Sequence, residues 1–208
     1  MNLIGIDYSI NSPGLCIYNK DASPIWFSYL KPKTGTKKDQ AVQAELKELN
    51  DVFILDQPEP NTDRQELSRV LRHREIADGV CNMMQAHGTG NSFSVFFEGA
   101  SYGTSRFGTN SLIDLAAASS ILKSMIIERF DVQIMEVFAP TSIKKFAGKG
   151  NMNKQQMWEA FLADESLESS QFWQFCQQYS TVKVKSLAKP LDDLVDAYFI
   201  VKYARSLE

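Results

Sequence analysis

Residues 3–9, LIGIDYS, form a short apolar run that ends in an acid, Asp7. Two similar runs follow at once, GLCIYNK at 14–20 and PIWFSYL at 24–30, with turn-forming residues between them. Strands this close in sequence pair as an antiparallel meander. The stretch therefore predicts a sheet that begins with three antiparallel strands and carries Asp7 at the end of the first.

The rest of the sequence alternates predicted helices with predicted strands. The predicted helices lie at 62–88, 110–129, 141–147, 154–163 and 190–206. The predicted strands lie at 93–99 and 131–140. This order predicts an α/β fold with a mixed five-stranded sheet, three antiparallel strands and then two parallel ones, covered by helices on both faces.

The length of 208 residues suits one α/β domain over 1–208. Residues 31–62 lack clear periodicity, and we interpret them as an insertion or mobile loop with a short helix over 40–49. Residues 164–189 are polar and rich in aromatic residues, and their pattern predicts no defined element.

Composition indicates a cytoplasmic globular protein, with 44% hydrophobic and 23% charged residues. No apolar run approaches the ~20 residues of a membrane-spanning helix, and the N-terminus lacks the charged region of a signal peptide. Three widely spaced cysteines, Cys16, Cys81 and Cys176, favour free thiols in a reducing compartment. With no Cys-x-x-Cys motif and only two histidines, a zinc site is not expected.

Four acidic residues stand where strands or helices would direct carboxylates to one point. Asp7 and Glu98 each end an apolar run, and Asp193 and Asp196 lie three apart in an apolar helical pattern, so both face one side. Buried carboxylates need a partner, and without nearby Arg or Lys that partner is usually a hard divalent cation. The four acids therefore predict a site for one or two Mg²⁺ ions, with Mn²⁺ as a substitute. The alternative is a helix cap, a surface Glu and a solvated helix face.

Four motifs occur in the order typical of one nuclease family: GIDYSINSPGLCIY, FFEGASYG, APTSIKKFAGKGNMNKQQM and LDDLVDAYFI. The chain thus resembles the RuvC-like Holliday junction resolvases of the ribonuclease H superfamily, outside 31–62 and 164–189. The resemblance implies a ribonuclease H-like fold and a Mg²⁺-dependent endonuclease that resolves four-way DNA junctions in recombination and repair. It also implies that Asp7, Glu98, Asp193 and Asp196 are the catalytic metal ligands.

The sequence departs from the family pattern in two places. GIDYS replaces the usual GIDPG, and residues 31–62 add a segment that the compact bacterial enzymes lack. Asp192 is an alternative to Asp193 as a ligand, because it is also close to Asp196 on a helix.

The resemblance assigns DNA-binding roles to the lysines near two glycines, Gly148 and Gly150. These lysines are Lys144, Lys145, Lys149 and Lys154. Glycines let a backbone approach a phosphate closely, and each lysine that neutralises a phosphate adds salt-dependent affinity. The alternative is a flexible GKG turn with solvated lysines.

The loop SYGTSRFGTN resembles the family segment that inserts an aromatic side chain at the junction crossover. Phe107 is the best match, Tyr102 is the second, and Arg106 is a candidate phosphate contact. Stacking on an unpaired base contributes about 1–3 kcal/mol per base. The alternative is that Phe107 packs back on its own sheet.

The small residues of 115–120 permit close helix packing, and the corresponding family helix contributes to a twofold dimer, so we expect a homodimer. Three other functions stay open. The first is a nuclease of the same fold acting on flaps, forks or RNA–DNA hybrid. The second is a binding module that recognises junctions without cutting. The third is an ATP-binding fold of the actin and sugar-kinase type, for which the chain is short.

Overall fold

The computed structural model describes residues 2–10, 12–19, 25–31, 35–57, 65–88, 92–99 and 109–208. The strands in this part of the chain are β1 (Asn2–Asp7), β2 (Gly14–Asn19), β3 (Ile25–Lys31), β4 (Val52–Asp56), β5 (Ser92–Glu98) and β6 (Asp131–Phe138). The helices are α1 (Lys37–Leu46), α2 (Gln65–His87), α3 (Thr109–Arg129), α4 (Pro140–Ala147), α5 (Lys154–Leu162), α6 (Gln171–Gln177) and α7 (Leu191–Arg205). Two short 3-10 turns, Glu165–Leu167 and Val184–Ser186, lie before and after α6.

The sheet is mixed, with strand order β4-β3-β2-β1-β5-β6. β1, β2 and β3 form an antiparallel meander, β5 pairs in parallel with β1, and β6 pairs in parallel with β5. Helices pack on both faces, so the predicted α/β fold class is confirmed. The described sheet has six strands where the sequence predicts five, because β4 adds to its edge in parallel with β3.

The extra strand comes from the segment interpreted as an insertion or mobile loop. Its described part, 35–57, is a helix followed by a strand, and the short helix predicted over 40–49 is present as α1. Thr36 caps α1 by accepting a hydrogen bond from the backbone N–H of Asp39, whose side chain accepts one from Thr36 in return. β4 has only five residues, which is too short a run for periodicity to reveal it. That 31–62 is an insertion into a single domain stays a prediction.

The two faces of the sheet carry separate cores. Side chains alternate between the faces along a strand. Ile4 and Ile6 of β1 pack with residues of α2 and α3, while Leu3 packs with residues of α7. By this alternation Gly5 and Asp7 also face α7. Asp7 therefore ends β1 on the face that α7 covers.

The backbone of α7 packs directly against the backbone of the meander strands. A Cβ atom added at Gly5 would lie 2.5 Å from the carbonyl oxygen of Ala197. A Cβ atom at Gly14, which pairs with Asp7 in the sheet, would lie 3.1 Å from the carbonyl oxygen of Asp193. Glycine at these two positions lets the helix lie directly on the strands. As a result, the start of α7 is placed beside the end of β1.

A buried carboxylate joins the two segments that the sequence leaves unassigned. Asp51, just before β4, is 4% exposed. It accepts hydrogen bonds from the Ser170 hydroxyl at 2.6 Å and from the backbone N–H of Phe172 at 3.0 Å. Ser170 in turn caps α6 by accepting from the N–H of Trp173. The 35–57 unit is therefore docked on α6 by hydrogen bonds at a helix start, where negative charge is favoured.

None of the helices in the described part of the chain is both long and apolar enough to cross a membrane. Cys16, Cys81 and Cys176 are buried free thiols, as the sequence predicts.

We predict that Gly5→Ala destabilises the protein by about 1–3 kcal/mol, because the added methyl group would collide with the α7 backbone and force the helix away. Urea denaturation measures this free energy of unfolding. The matched control is Gly150→Ala, where the nearest atom to an added Cβ, the carbonyl oxygen of Thr141, is an ordinary 3.5 Å away. Equal stability of the two variants would contradict the close contact of α7 with β1.

Candidate functional site

Two of the predicted site acids end adjacent parallel strands. Asp7 is the last residue of β1 and Glu98 is the last residue of β5. Ile6 is in register with Phe97, so the next residues of the two strands are neighbours at the carboxyl edge of the sheet. Ligands of open α/β sheets usually bind at this edge. The structure thus brings Asp7 and Glu98 together, as the sequence predicts.

The first turns of α7 add Asp193 and Asp196 to the same edge. Burial raises the pKa of Asp7 well above its usual value, and the neighbouring carboxylates of Asp196, Asp193 and Glu98 raise it further. Burial also raises the pKa of Glu98, again with a contribution from Asp196. The four predicted acids therefore form one electrostatically coupled cluster, which we call the acid cluster.

Asp193 is the most enclosed of the three acids on α7, with 8% of its surface exposed. Burial and the neighbouring Asp192 raise the pKa of Asp193 to about 6, although Lys189 opposes the change. One of its oxygens, Oδ2, is buried and has no hydrogen-bond partner among the described residues. A buried oxygen without a hydrogen bond destabilises the folded protein unless a ligand or a water molecule binds to it.

Two lysines stand against the acid cluster. The ammonium group of Lys154 lies 2.9 Å from Asp192 and 3.2 Å from Asp196. The ammonium group of Lys189 lies 2.9 Å from Asp192 and also contacts Asp193. Burial alone would lower the pKa of Lys154, but Asp196 and Asp192 raise it above its usual value.

Asp192 differs from Asp193 in its partners. Burial would raise the pKa of Asp192, but Lys189 and Lys154 together lower it below its usual value. Asp192 is therefore compensated by two cations. Within the part of the chain that the structure describes, Asp193 pairs with one lysine and keeps one buried oxygen without a partner. The geometry favours Asp193 over Asp192 as the acid available to a ligand.

As the side chains stand, no group of three His, Cys, Asp or Glu residues within the described ranges is arranged to hold a metal ion. The chemistry of the site nevertheless suits one. All the candidate donors are carboxylate oxygens, which are the ligands of hard divalent cations. The acid cluster carries more negative charge than its two lysines balance, and the Asp193 Oδ2 is without a partner. The donor type and the charge of these residues fit a divalent cation. For the cation to bind, the ammonium groups of Lys154 and Lys189 would have to move away from the carboxylates.

A small cavity of about 90 Å³ opens beside the cluster. Its lining residues are Glu98, Ile143, Lys144, Lys154, Met157 and Asp196. Lys144 is half-buried and lies near enough to Glu98 to lower the pKa of that carboxyl group, against the larger opposing effect of burial. The cavity therefore places two predicted DNA-binding lysines beside two predicted metal ligands.

The other predicted DNA-binding residues lie nearby or outside the described part of the chain. Lys145 on α4 and Lys149 in the following turn are exposed. Tyr102, Arg106 and Phe107 lie outside the described residues.

The sequence did not predict the hydrogen bonds that hold the backbone of Lys189 in place. The backbone N–H of Lys189 donates to Asp39 Oδ1 at 2.8 Å, and its carbonyl oxygen accepts from Gln43 Nε2 at 3.4 Å. Both partners belong to α1, so this helix holds the backbone from which Lys189 reaches the acid cluster. The Thr36–Asp39 spacing is a capping signal that could have predicted where α1 begins, but nothing local connects α1 to residue 189.

Comparison with solved structures identifies the fold. A Thermus thermophilus RuvC structure aligns over 100% of this chain and 96% of its own, with a TM-score of 0.54 at 12% sequence identity. The chain has a RuvC-like resolvase fold. The T. thermophilus RuvC complex with a Holliday junction substrate aligns with a TM-score of 0.51 at 12% identity, over 100% of this chain and 96% of its own. The yeast mitochondrial Holliday junction resolvase Ydc2 aligns over 97% of this chain and 76% of its own, with a TM-score of 0.52 at 14% identity.

No protein-family model matches the sequence, and no curated protein matches it significantly. The RuvC-like fold therefore rests on the structural likeness, which confirms the fold that the sequence motifs imply.

We predict that Asp7→Asn stabilises the metal-free protein at pH 7, because it removes one of several like charges packed together. The raised pKa of folded Asp7 gives a stability contribution that is complete below the unfolded pKa of about 3.9 and is lost as pH rises toward the folded value. We therefore expect the variant to gain on the order of 1–3 kcal/mol at pH 7 in EDTA and little at pH 4.

Urea denaturation at the two pH values measures this gain. Asp131→Asn is the control, since this aspartate is exposed at the start of β6. A loss of stability in Asp7→Asn at pH 7 in EDTA would mean that the carboxylate already has a favourable partner.

Proposed function

We propose that the protein is a metal-dependent endonuclease that cuts branched DNA, and that four-way junctions are its substrate. One observation carries the proposal: carboxylates from β1, β5 and α7 meet with uncompensated charge at the carboxyl edge of a RuvC-like fold. The structural neighbours are Holliday junction resolvases, and one of them is in complex with its junction substrate.

Asp7, Glu98, Asp193 and Asp196 would hold the metal, which we propose to be two Mg²⁺ ions per site, replaceable by Mn²⁺. Their oxygen donors and excess charge match this choice. When bound, the ions would polarise the phosphodiester and stabilise the charge that develops on the attacking and leaving oxygens.

The lysines of the site would position the DNA. Without a cation the acid cluster would repel a phosphodiester, so phosphate binding and metal binding are linked. The Lys154 side chain is 57% exposed, which allows its ammonium group to leave Asp196 and donate to a phosphate. Lys144, across the cavity, would hold a neighbouring phosphate beside Glu98. Asp192 would keep its contact with Lys189 and so orient the start of α7.

The test is cleavage of a labelled four-way junction with Mg²⁺, compared with a flap, a fork, an RNA–DNA hybrid and a linear duplex of matched sequence. We expect paired, symmetric nicks in the junction and none in the linear duplex. Asp7→Asn and Asp193→Asn should each reduce cleavage by at least about 100-fold, because losing even an indirect support of a metal ligand costs about 10–100-fold.

Asp131→Asn should cleave as the wild type does, because residue 131 is exposed at the opposite end of a strand from the acid cluster. Equal cleavage by the wild type and both site variants would contradict the proposal that Asp7 and Asp193 are catalytic metal ligands. Cleavage of the hybrid or flap in preference to the junction would support the endonuclease activity but contradict the four-way junction as the substrate.

We also propose that the protein acts as a homodimer, since symmetric cleavage of two strands requires two sites. α3 leaves a stripe of apolar and small side chains exposed at helical spacing, formed by Ile113, Ala117, Ser120 and Ile127. Ile113 and Ile127 are each 61% exposed, and a partner helix laid along this stripe would cover both of them.

Analytical ultracentrifugation tests the dimer. We expect a dimeric mass for the wild type and a monomeric mass for Ile113→Glu/Ile127→Glu, because two carboxylates would be buried in the interface. Ile134→Glu is the control, since Ile134 is 41% exposed on β6, away from the stripe. A monomeric wild type at micromolar concentration would contradict the proposal.

A further inference from the structure

The start of α1 lies at the same edge of the sheet as the acid cluster. β3 is antiparallel to β2, which is antiparallel to β1, so β1 and β3 end at one edge. α1 follows β3 within a few residues, and its first residues, Lys37 and Lys38, are exposed. The start of α1 therefore presents positive charge beside the candidate active site.

Side-chain contacts join the start of α1 to the Val184–Ser186 turn. The ammonium group of Lys38 donates to the carbonyl oxygen of Ser186. On the other side of this turn, the backbone N–H of Val184 donates to Gln155 Oε1 at 2.9 Å. Gln155 directly follows Lys154, whose ammonium group contacts the acid cluster. A continuous path of contacts thus runs from the acid cluster across the turn to α1.

Three exposed lysine side chains along this path are available to bind an anionic ligand. Val184 is buried, while Lys183 and Lys185 on either side of it are exposed. The ammonium groups of Lys37, Lys183 and Lys185 make no hydrogen bond or ion pair to any residue that the structure describes. We call these three residues the lysine strip. It lies on the β3 side of the acid cluster, whereas Lys144 and Lys145 lie on the β6 side, in the helix that follows β6.

We propose that the lysine strip binds the phosphate backbone of a duplex DNA arm that leaves the cleavage site over the 35–57 unit. The inference rests on the proposed function, because it requires a phosphodiester at the acid cluster. The protein as a whole carries a formal net charge of −3, so general attraction for DNA is weak and local positive charge decides where an arm lies. A strip continuous with Lys154 would extend the contact from the cut phosphate along the duplex.

The test variant is Lys37→Ala/Lys183→Ala/Lys185→Ala. Lys38, Lys154 and Lys189 are left in place because their ammonium groups hold the turn and the acid cluster. The control variant is Arg74→Ala/Lys123→Ala/Arg129→Ala, which removes the same charge from α2 and α3, on the opposite face of the sheet from α1 and α7. Melting temperature and mass are compared first, so that a folding or assembly defect is recognised.

Binding to a labelled four-way junction is then measured between about 50 and 200 mM salt with Ca²⁺ in place of Mg²⁺, so that the acid cluster is neutralised and a phosphodiester can approach it. We expect the strip variant to bind about 10-fold or more weakly at the lowest salt, and the slope of log affinity against log salt to fall by about 2–3. The control variant should keep the wild-type slope, because its three charges lie away from the DNA path.

The outcomes separate the two proposals. If the strip variant has the same affinity and salt slope as the control variant, the lysine strip does not bind a duplex arm, whatever the cleavage assay shows. Weaker binding by the strip variant, together with a wild type that binds junctions and never cuts them, would support the strip and overturn the endonuclease. A wild type that binds no DNA would overturn both.

Discussion

The backbone contact between β1 and α7 is the constraint on which the site depends. Because Gly5 has no side chain, the helix lies directly against the strand at Ala197. Gly14 allows the same approach one strand away, next to Asp7 in the sheet. The two glycines thus set the distance at which a strand-end carboxylate meets the carboxylates of a helix. Their role here is close approach of two elements, not a tight turn.

Crowding several carboxylates in one place is unfavourable, and the protein balances only part of that charge. Lys154 and Lys189 pair with the three acids of α7, while Asp7 and Glu98 have no ion pair within the described ranges. Burial, and after it the repulsion of the neighbouring carboxylates, raises the pKa values of Asp7 and Glu98. Under the proposed function, binding of a cation would relieve a repulsion that already exists in the metal-free protein.

Much of this site could be predicted from the sequence, because its acids follow local patterns. Asp7 and Glu98 end apolar runs, and the spacing of Asp193 and Asp196 places both on one helix face. The contribution of α1 could not be predicted in the same way. It depends on two hydrogen bonds, one from the backbone N–H of Lys189 to Asp39 and one from the side-chain amide of Gln43 to the carbonyl oxygen of Lys189. Single contacts between distant residues leave no periodicity in a sequence. β4 escaped prediction because five residues carry too little pattern, and because pairing with β3 defines it as a strand.

The long reach of these contacts has a consequence for how the protein folds. Asp39 meets Lys189 across 150 residues of chain, and Asp51 meets Phe172 across 121. Contacts of such separation slow folding, because a large loop must close before they form. The meander can assemble from neighbouring segments, whereas the carboxylates of α7 reach Asp7 only when that helix docks on β1 and β2. The repulsion between the acids of α7 and Asp7 therefore opposes this docking, and under the proposed function a divalent cation in solution would assist it.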